Sequence, residues 1–422
     1  MKVAEVDRAL QRRNFILNVF EGGTYISSNG FAAVQTVLPA LVARLGGTNL
    51  EVGAVLVVGF SFQFLPQVFS ARYVEASPWK KPGTLLFGLC QRCVMIIMGG
   101  MLFLLGGRYP SATLIALLVL FALNQTFTGI TSPFWIDFVA KLTPQHWRGR
   151  LIGIRTSLGG VGAFIAGLVL TGILGALSFP GNFALAFVLA GVLQSASLVI
   201  QSRVVESTPS DVRPRESFRS YLQSVIVIVR RKDFAPFLVS MALMILGSMA
   251  VPFFTVYAVR QLHVEEQMVG AYTTMMVVVQ IASALLNGIV ADRYGNKIAL
   301  LIAGSGLTLA SLIALMTTSP AWFLLVFLFL GINVGSEVMS RYNMAIDFAP
   351  ERRRSTFVGL VNTLLAPLYA AGILGGVVSN AFGYPAVFVL SIVFSAAGVL
   401  VLWWTVDDPG HLLRQRAREV NA

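Results

Sequence analysis

Twelve runs of about 20 mostly apolar residues, joined by short polar segments, leave this chain little choice but to fold inside a lipid bilayer. They lie near 15–43, 51–71, 83–105, 111–137, 151–174, 183–201, 234–259, 268–290, 298–317, 322–346, 356–379 and 385–404. At 1.5 Å per residue each can cross roughly 30 Å of hydrocarbon as a helix. In lipid only a helix or a closed barrel satisfies every backbone N–H and C=O. Composition agrees, because 12% charged residues is half the share of about a quarter usual for soluble domains.

The basic residues test this reading. They cluster before the first run and after the second, fourth, sixth, eighth, tenth and twelfth. The intervening loops hold only Arg44, Arg108 and Arg260, and Arg92, Arg155 and Arg341 fall inside spans. Such alternation puts both termini in the cytoplasm. It also accounts for the formal charge of +12, so nucleic acid is not expected as a partner. The segment before the first run is polar, and the run exceeds a signal-peptide core, so it is expected to stay as a span. An Arg-rich, Lys-poor basic set with short loops points to a bacterial inner membrane. Cys90 and Cys93 lie in an apolar run and are expected to be buried small hydrophobes.

The longest polar stretch, 202–233, divides the chain near its middle. Within it Phe218, Tyr221, Leu222, Val225 and Val229 recur at helical spacing. They read as an amphipathic helix, lying on the inner membrane surface or docked on the protein. The flanking halves repeat. Ile136-Asp137-Phe138, Pro144, Arg148 and Gly153 in the first correspond to Ile346-Asp347-Phe348, Pro350, Arg354 and Gly359 in the second. The exits Val205-Glu206-Ser207-Thr208-Pro209 and Val406-Asp407-Asp408-Pro409 match, as do Arg72-Tyr73 and Arg293-Tyr294. Repeats in this order indicate two related six-helix halves, a plan in which solute binds near mid-membrane.

The loop Gly288-Ile289-Val290-Ala291-Asp292-Arg293-Tyr294-Gly295-Asn296-Lys297 resembles G-x-x-x-D-R-x-G-x-[RK], a signature of the major facilitator superfamily. The chain resembles that family over essentially its full length. In the first-half copy, Ala71 stands where the motif has its acid. The resemblance implies an all-α membrane protein with 12 transmembrane helices in two pseudo-symmetric bundles. These would be an N-terminal bundle (1–201), a cytoplasmic linker (202–233), and a C-terminal bundle with a short tail (234–422). It further implies a cytoplasmic gate in which Asp292 lies near a helix N-terminus, Arg293 reaches Asp347, and Arg72 faces Asp137. Arg148 belongs to the same set.

Of the acids, Glu21 and Glu337 alone sit deep inside spans. A charge at the bilayer centre costs roughly 2.5–3.5 kcal/mol on insertion scales, so such groups face an interior and usually serve a purpose. Arg341, four residues after Glu337, can pair with it; Arg92 is the partner considered for Glu21. Each pair could be a static strut, a proton-coupling site or a substrate contact. Asn18, Tyr25 and Ser28 share the polar stripe of the first span with Glu21, and Asn124 and Thr128 mark the fourth. Tyr257, Gln280, Asn333 and Asn362 fall on later spans. Because the family lines its cavity with spans 1, 4, 7 and 10, the resemblance makes those on these spans substrate-cavity candidates, and Gln280 on the eighth span and Asn362 on the eleventh join them as polar positions in apolar runs.

No nucleotide-binding loop, metal cluster or nucleophile motif is present, so no enzyme activity, cofactor or metal is expected. The expectation is a monomeric secondary transporter moving a small solute by alternating access, coupled to protons as a symporter or antiporter. A facilitative uniporter, or a non-transporting sensor or scaffold with the same fold, is the alternative.

Overall fold

The computed structural model describes residues 2–210, 212, 231, 233–348 and 354–408, without the side chains of 2–7, 68, 71, 72, 354–358 and 360. The amphipathic segment 218–229 lies outside the described residues. Among them there are helices and no strands. Eleven helices there are long and apolar enough to cross a bilayer, and they fall on the second to twelfth runs. The first run is occupied by α1 (Lys2–Ser27), which starts well before the apolar stretch and carries Arg8, Arg12 and Arg13 on its early turns.

The helices gather into two compact units. One comprises Met1–Gly47, Val58–Glu216 and Glu265–Thr274; the other comprises Thr48–Val57, Ser217–Val264 and Met275–Ala422. The first nine residues of the eighth span are therefore grouped with the first unit, and the start of the second span with the second unit. The first unit holds α1, α2 (Val37–Arg44), α4 (Phe62–Glu75), α5 (Lys81–Leu105), α6 (Pro110–Leu142), α7 (Gln145–Ala176) and α8 (Gly181–Ser202). The second holds α3 (Asn49–Leu56), α9 (Ala235–Gly247), α10 (Val251–Arg260), α12 (Asn296–Met316), α13 (Leu324–Asp347), α14 (Arg354–Leu365), α15 (Ala371–Phe382) and α16 (Tyr384–Thr405). It also contains most of α11 (Glu266–Tyr294).

Four spans are interrupted where the sequence suggested continuous helices. The first breaks after a 3-10 turn at Ser28–Gly30. A Cβ on Gly30 would lie 2.4 Å from the Ala163 carbonyl, so the chain turns where it presses on α7. The second passes through a π-helical turn at Val57–Ser61, just before Pro66. The seventh tightens to 3-10 at Ser248–Ala250 before Pro252, and the eleventh at Ala366–Ala370 around Pro367. Proline has no N–H to donate and its ring crowds the preceding turn, so the helix changes pitch there. The expectation of two buried cysteines is corrected: Cys90 is half-buried and Cys93 exposed, because α5 turns that face outward.

Close helix packing depends on glycine. In the first unit, a Cβ on Gly162 would meet the Ser27 hydroxyl at 1.9 Å, and one on Gly159 would meet Ile26 at 2.5 Å; small residues let these backbones approach. In the second unit α3 and α15 touch backbone to backbone. A Cβ on Gly53 would lie 2.0 Å from the Gly372 carbonyl oxygen, and one on Gly372 would lie 2.3 Å from that of Gly53. Backbone cannot yield as a side-chain tip can, so Gly372→Leu must part the helices. Overpacking costs about 1–3 kcal/mol, and the variant is expected to unfold at a clearly lower temperature in a detergent melt. A wild-type melting curve would show that the helices have room.

Candidate functional site

The interior of the first unit holds a continuous polar cluster built by α1, α5, α6, α7 and α8. Glu21 is 3% exposed, in the last two turns of α1, a helix that packs against α7 and α8. Its partner is Arg155, with Nη2 3.3 Å from Glu21 Oε2. Ser197 donates to Glu21 Oε1 at 3.2 Å. Arg155 lies ten residues into α7, about 15 Å from its start, and its guanidinium stacks on the Trp135 ring at 4.2 Å. Gly22 makes this arrangement possible: a Cβ there would lie 1.9 Å from Arg155 Nε.

Arg92, the partner considered for Glu21 from the sequence, is engaged elsewhere. It donates to the Gln194 carbonyl (3.1 Å), the Gly88 carbonyl (3.0 Å) and Gln91 Oε1 (2.9 Å), and it sits over the Tyr25 ring at 5.3 Å. Tyr25 is one turn beyond Glu21, so Arg92 is met by neutral acceptors and an aromatic face. The hydrogen bonds run on through the unit. Gln91 donates to the Tyr25 hydroxyl (2.9 Å), Asn124 to the Gln91 carbonyl (2.9 Å) and Gln194 to Ser28 Oγ (3.2 Å). Asn18, fully buried, donates back to the Asn14 carbonyl at 2.9 Å. The Thr128 hydroxyl donates to the Asn124 carbonyl of its own helix, at 2.8 Å. Several buried atoms have no hydrogen-bond partner, among them Asn18 Oδ1, Arg155 Nη1 and Trp135 Nε1.

The second unit carries a smaller cluster. Arg341, 1% exposed, pairs with Glu337 one turn earlier at 3.1 Å, and the Glu337 side chain is 20% exposed. Arg341 also donates to the Tyr369 hydroxyl. Asn362 donates to Tyr342 at 3.2 Å. Asn333 bonds the Ala303 carbonyl of α12 at 2.9 Å, which is a helix-to-helix tie. Tyr257 sits in an aromatic group with Phe323, Tyr384 and Phe388, ring centres 5.4 to 5.8 Å away. Gln280 is half-buried on α11. Ser283 and Ser336 share a hydrogen bond of 2.8 Å, and Asn287 donates to both.

At the basic end of each unit the gate candidates serve helix ends. Arg148 donates to the Thr143 and Ala140 carbonyls (3.2 and 2.7 Å), satisfying the last turn of α6. Asp137 lies 3.9 Å from Lys80 Nζ, and the Arg72 side chain is outside the described residues. Asp347 accepts from Asn296 at 2.7 Å, while Asp292 and Arg293 are exposed at the end of α11. Burial pulls the Lys80 ammonium below its usual range, against the opposing pull of Asp137.

Sequence reasoning did not assemble Arg155, Trp135, Gln91, Gln194 and Ser197 into a site. Arg155 was visible as an intramembrane charge. The neutral residues carry no mark that separates them from ordinary interhelical polar pairs.

Residues 236–421 match the model for the Major Facilitator Superfamily. No curated protein sequence matches the chain. Solved structures do, over nearly the whole length. A mutant of the nucleoside transporter NupG is 13% identical, with 94% of this chain and 100% of that one covered and a TM-score of 0.69. The peptide transporter POT in complex with sulfate is 14% identical, with 93% of each chain covered and a TM-score of 0.69. A D-xylose-proton symporter is 13% identical, with 94% and 98% covered and a TM-score of 0.66. Identity this low shows a shared fold. The chain thus shares the fold of these transporters, and its second half is similar to the Major Facilitator Superfamily.

Proposed function

We propose that this chain is a secondary transporter that carries a small solute by alternating access, with Glu21 taking up the coupling proton. The two six-helix halves, 1–201 and 234–422, would move about the linker 202–233. The observation that carries this reading is the Glu21–Arg155 pair: a carboxylate 3% exposed inside a membrane helix bundle, held by one cation. A structural tie could be made from neutral groups at lower cost, because desolvating two ions takes several kcal/mol each. A carboxylate in this position can instead exchange its ion pair for a proton as the protein changes state. Glu337, paired with Arg341 and partly exposed, is the second coupling candidate. The alternating basic residues support cytoplasmic termini and an inner-membrane location. That a D-xylose-proton symporter shares the fold is consistent with proton coupling.

The test uses the full chain in proteoliposomes with an imposed pH gradient and a panel of sugars, nucleosides, peptides and organic acids. Wild type is expected to accumulate at least one solute. Glu21→Gln should lower accumulation by roughly tenfold or more while leaving solute exchange in place, as expected when only the coupling step is lost. If Glu21→Gln and Glu337→Gln each accumulate solute as wild type does, proton coupling is wrong. Flux that ignores the gradient would identify a uniporter.

A further inference from the structure

Among the described residues, the charges buried deep within the helices of the first unit do not balance. Glu21, Arg92 and Arg155 are 3%, 4% and 6% exposed, which leaves one positive charge in excess. Lys80, Lys141, Glu206 and Asp137 lie at the helix ends, where Glu206 is already held by Lys141 and Asp137 is largely exposed, so none of them offsets it. In the second unit Arg341 is matched by Glu337. An uncompensated buried ion is costly, and a protein retains one where something else supplies the opposite charge.

The location of the unmet demand is specific. Arg92 has its donors on neutral oxygens of Gln194, Gly88 and Gln91. Arg155 has Glu21 on one side, while its Nη1 has no acceptor. The ring beneath that guanidinium belongs to Trp135, whose Nε1 also lacks an acceptor. Two buried N–H donors therefore sit together beside a net positive charge.

We infer that the transported solute is an organic monoanion, whose carboxylate docks on Arg155 Nη1 and Trp135 Nε1 within the first unit. This rests on the carrier reading above and names its substrate class. A carboxylate offers two acceptor oxygens for two donors and one negative charge for the one in excess; a dianion would overshoot. The groups facing Glu21 from the helices packed on it are Arg155 on α7, Arg92 on α5 and the neutral Ser197 on α8, with Tyr25 one turn along α1. An anion at Arg155 competes with Glu21 for the guanidinium. Anion binding and proton binding to Glu21 therefore favour one another. Each event adds one negative and one positive charge, so symport by this route is electroneutral.

The experiment is a thermal-shift comparison of purified protein with matched probes: benzoate against benzamide, lactate against lactamide, nicotinate against nicotinamide. At least one carboxylate is expected to raise Tm by roughly 2 °C or more near 100 times its Kd, with its amide inert. Trp135→Phe keeps the ring and removes the N–H. It should weaken that carboxylate by roughly tenfold, the loss of one hydrogen bond to a charged group. Arg155→Gln should abolish the response. No carboxylate outperforming its amide, or a response unchanged in Trp135→Phe, overturns the inference. Proton uptake on binding, measured calorimetrically in two buffers, separates the two readings. A carboxylate response with no proton uptake in wild type keeps the anion site and removes coupling. Gradient-driven transport of neutral solutes alone keeps coupling and removes the anion site.

Discussion

Gly22→Ala should disable coupled transport as thoroughly as removing Arg155, although it deletes no functional group. The added methyl would lie 1.9 Å from Arg155 Nε, 2.3 Å from Cζ and 2.5 Å from Nη2. Since those atoms form the tip of a flexible side chain, steric relief is cheap. The cost falls on electrostatics, because the guanidinium can move only by leaving Glu21 and the Trp135 face. Breaking a buried pair costs about 3–5 kcal/mol, and less where the stranded carboxylate picks up a proton instead.

Under the proposed coupling, either outcome removes the cation against which Glu21 would exchange its proton, so gradient-driven uptake is expected to drop at least as far as in Glu21→Gln. Gly172 lies on the same helix as Arg155 and has open space around its Cβ position, so Gly172→Ala is the matched control and should transport normally. Combining Gly22→Ala with Glu21→Gln should recover part of the lost stability without recovering coupling, because the uncharged amide no longer needs Arg155. Normal uptake by Gly22→Ala alone would mean that the pair has no part in transport.

Gly22 marks the limit of what the amino-acid sequence alone carries. Helix positions followed from apolar runs because lipid demands internally satisfied backbone, and the breaks fell at prolines or tight contacts that only packing makes decisive. Glu21 and Arg155 were each visible as charges a membrane tolerates only for a reason. Pairing them was not possible from sequence, because Arg92 and Arg155 are equivalent there. The choice is made by a missing Cβ on α1 and by the carbonyls of Gln194 and Gly88, which occupy Arg92. Asn333 and Thr128 looked like cavity residues, yet they donate to helix carbonyls, a use that the same residue type at the same spacing cannot distinguish. Asn14 behaves similarly: it pins the chain after α8 through the Val205 carbonyl and N–H, at 2.9 and 3.1 Å.

The internal repeat, in contrast, was legible but unexplained, and its explanation gives the second large effect. Glu206, in the exit after α8, accepts from the Lys80 and Lys81 backbone N–H groups at 3.0 Å each, and from Lys141 Nζ at 2.7 Å. Its side chain is 3% exposed. The acid thus covers orphan N–H groups at the start of α5, where the helix dipole also favours negative charge. Asp408, in the matching exit after α16, accepts from the Lys297 N–H at 3.0 Å at the start of α12. In both halves the acid leaving the last helix caps the third, and in the first half Lys141 joins the acid as well.

Glu206→Ala should therefore destabilise by about 3 kcal/mol, the scale of a broken buried pair, and Asp408→Ala by nearer 1 kcal/mol, the scale of a lost cap. The Glu206 effect should also depend on pH. Burial works to raise its carboxyl, but the Lys141 contact and the two backbone N–H bonds outweigh it and hold it below the ordinary range. A carboxylate lowered on folding contributes fully above its unfolded value of about 4.3, and loses that contribution as pH falls through the folded value. Between pH 8 and 5 the gap in Tm between wild type and Glu206→Ala should stay constant, and below about pH 4 it should narrow as wild type loses its clasp. A gap that held its width down to pH 3 would show that the carboxylate charge is not what joins these helices.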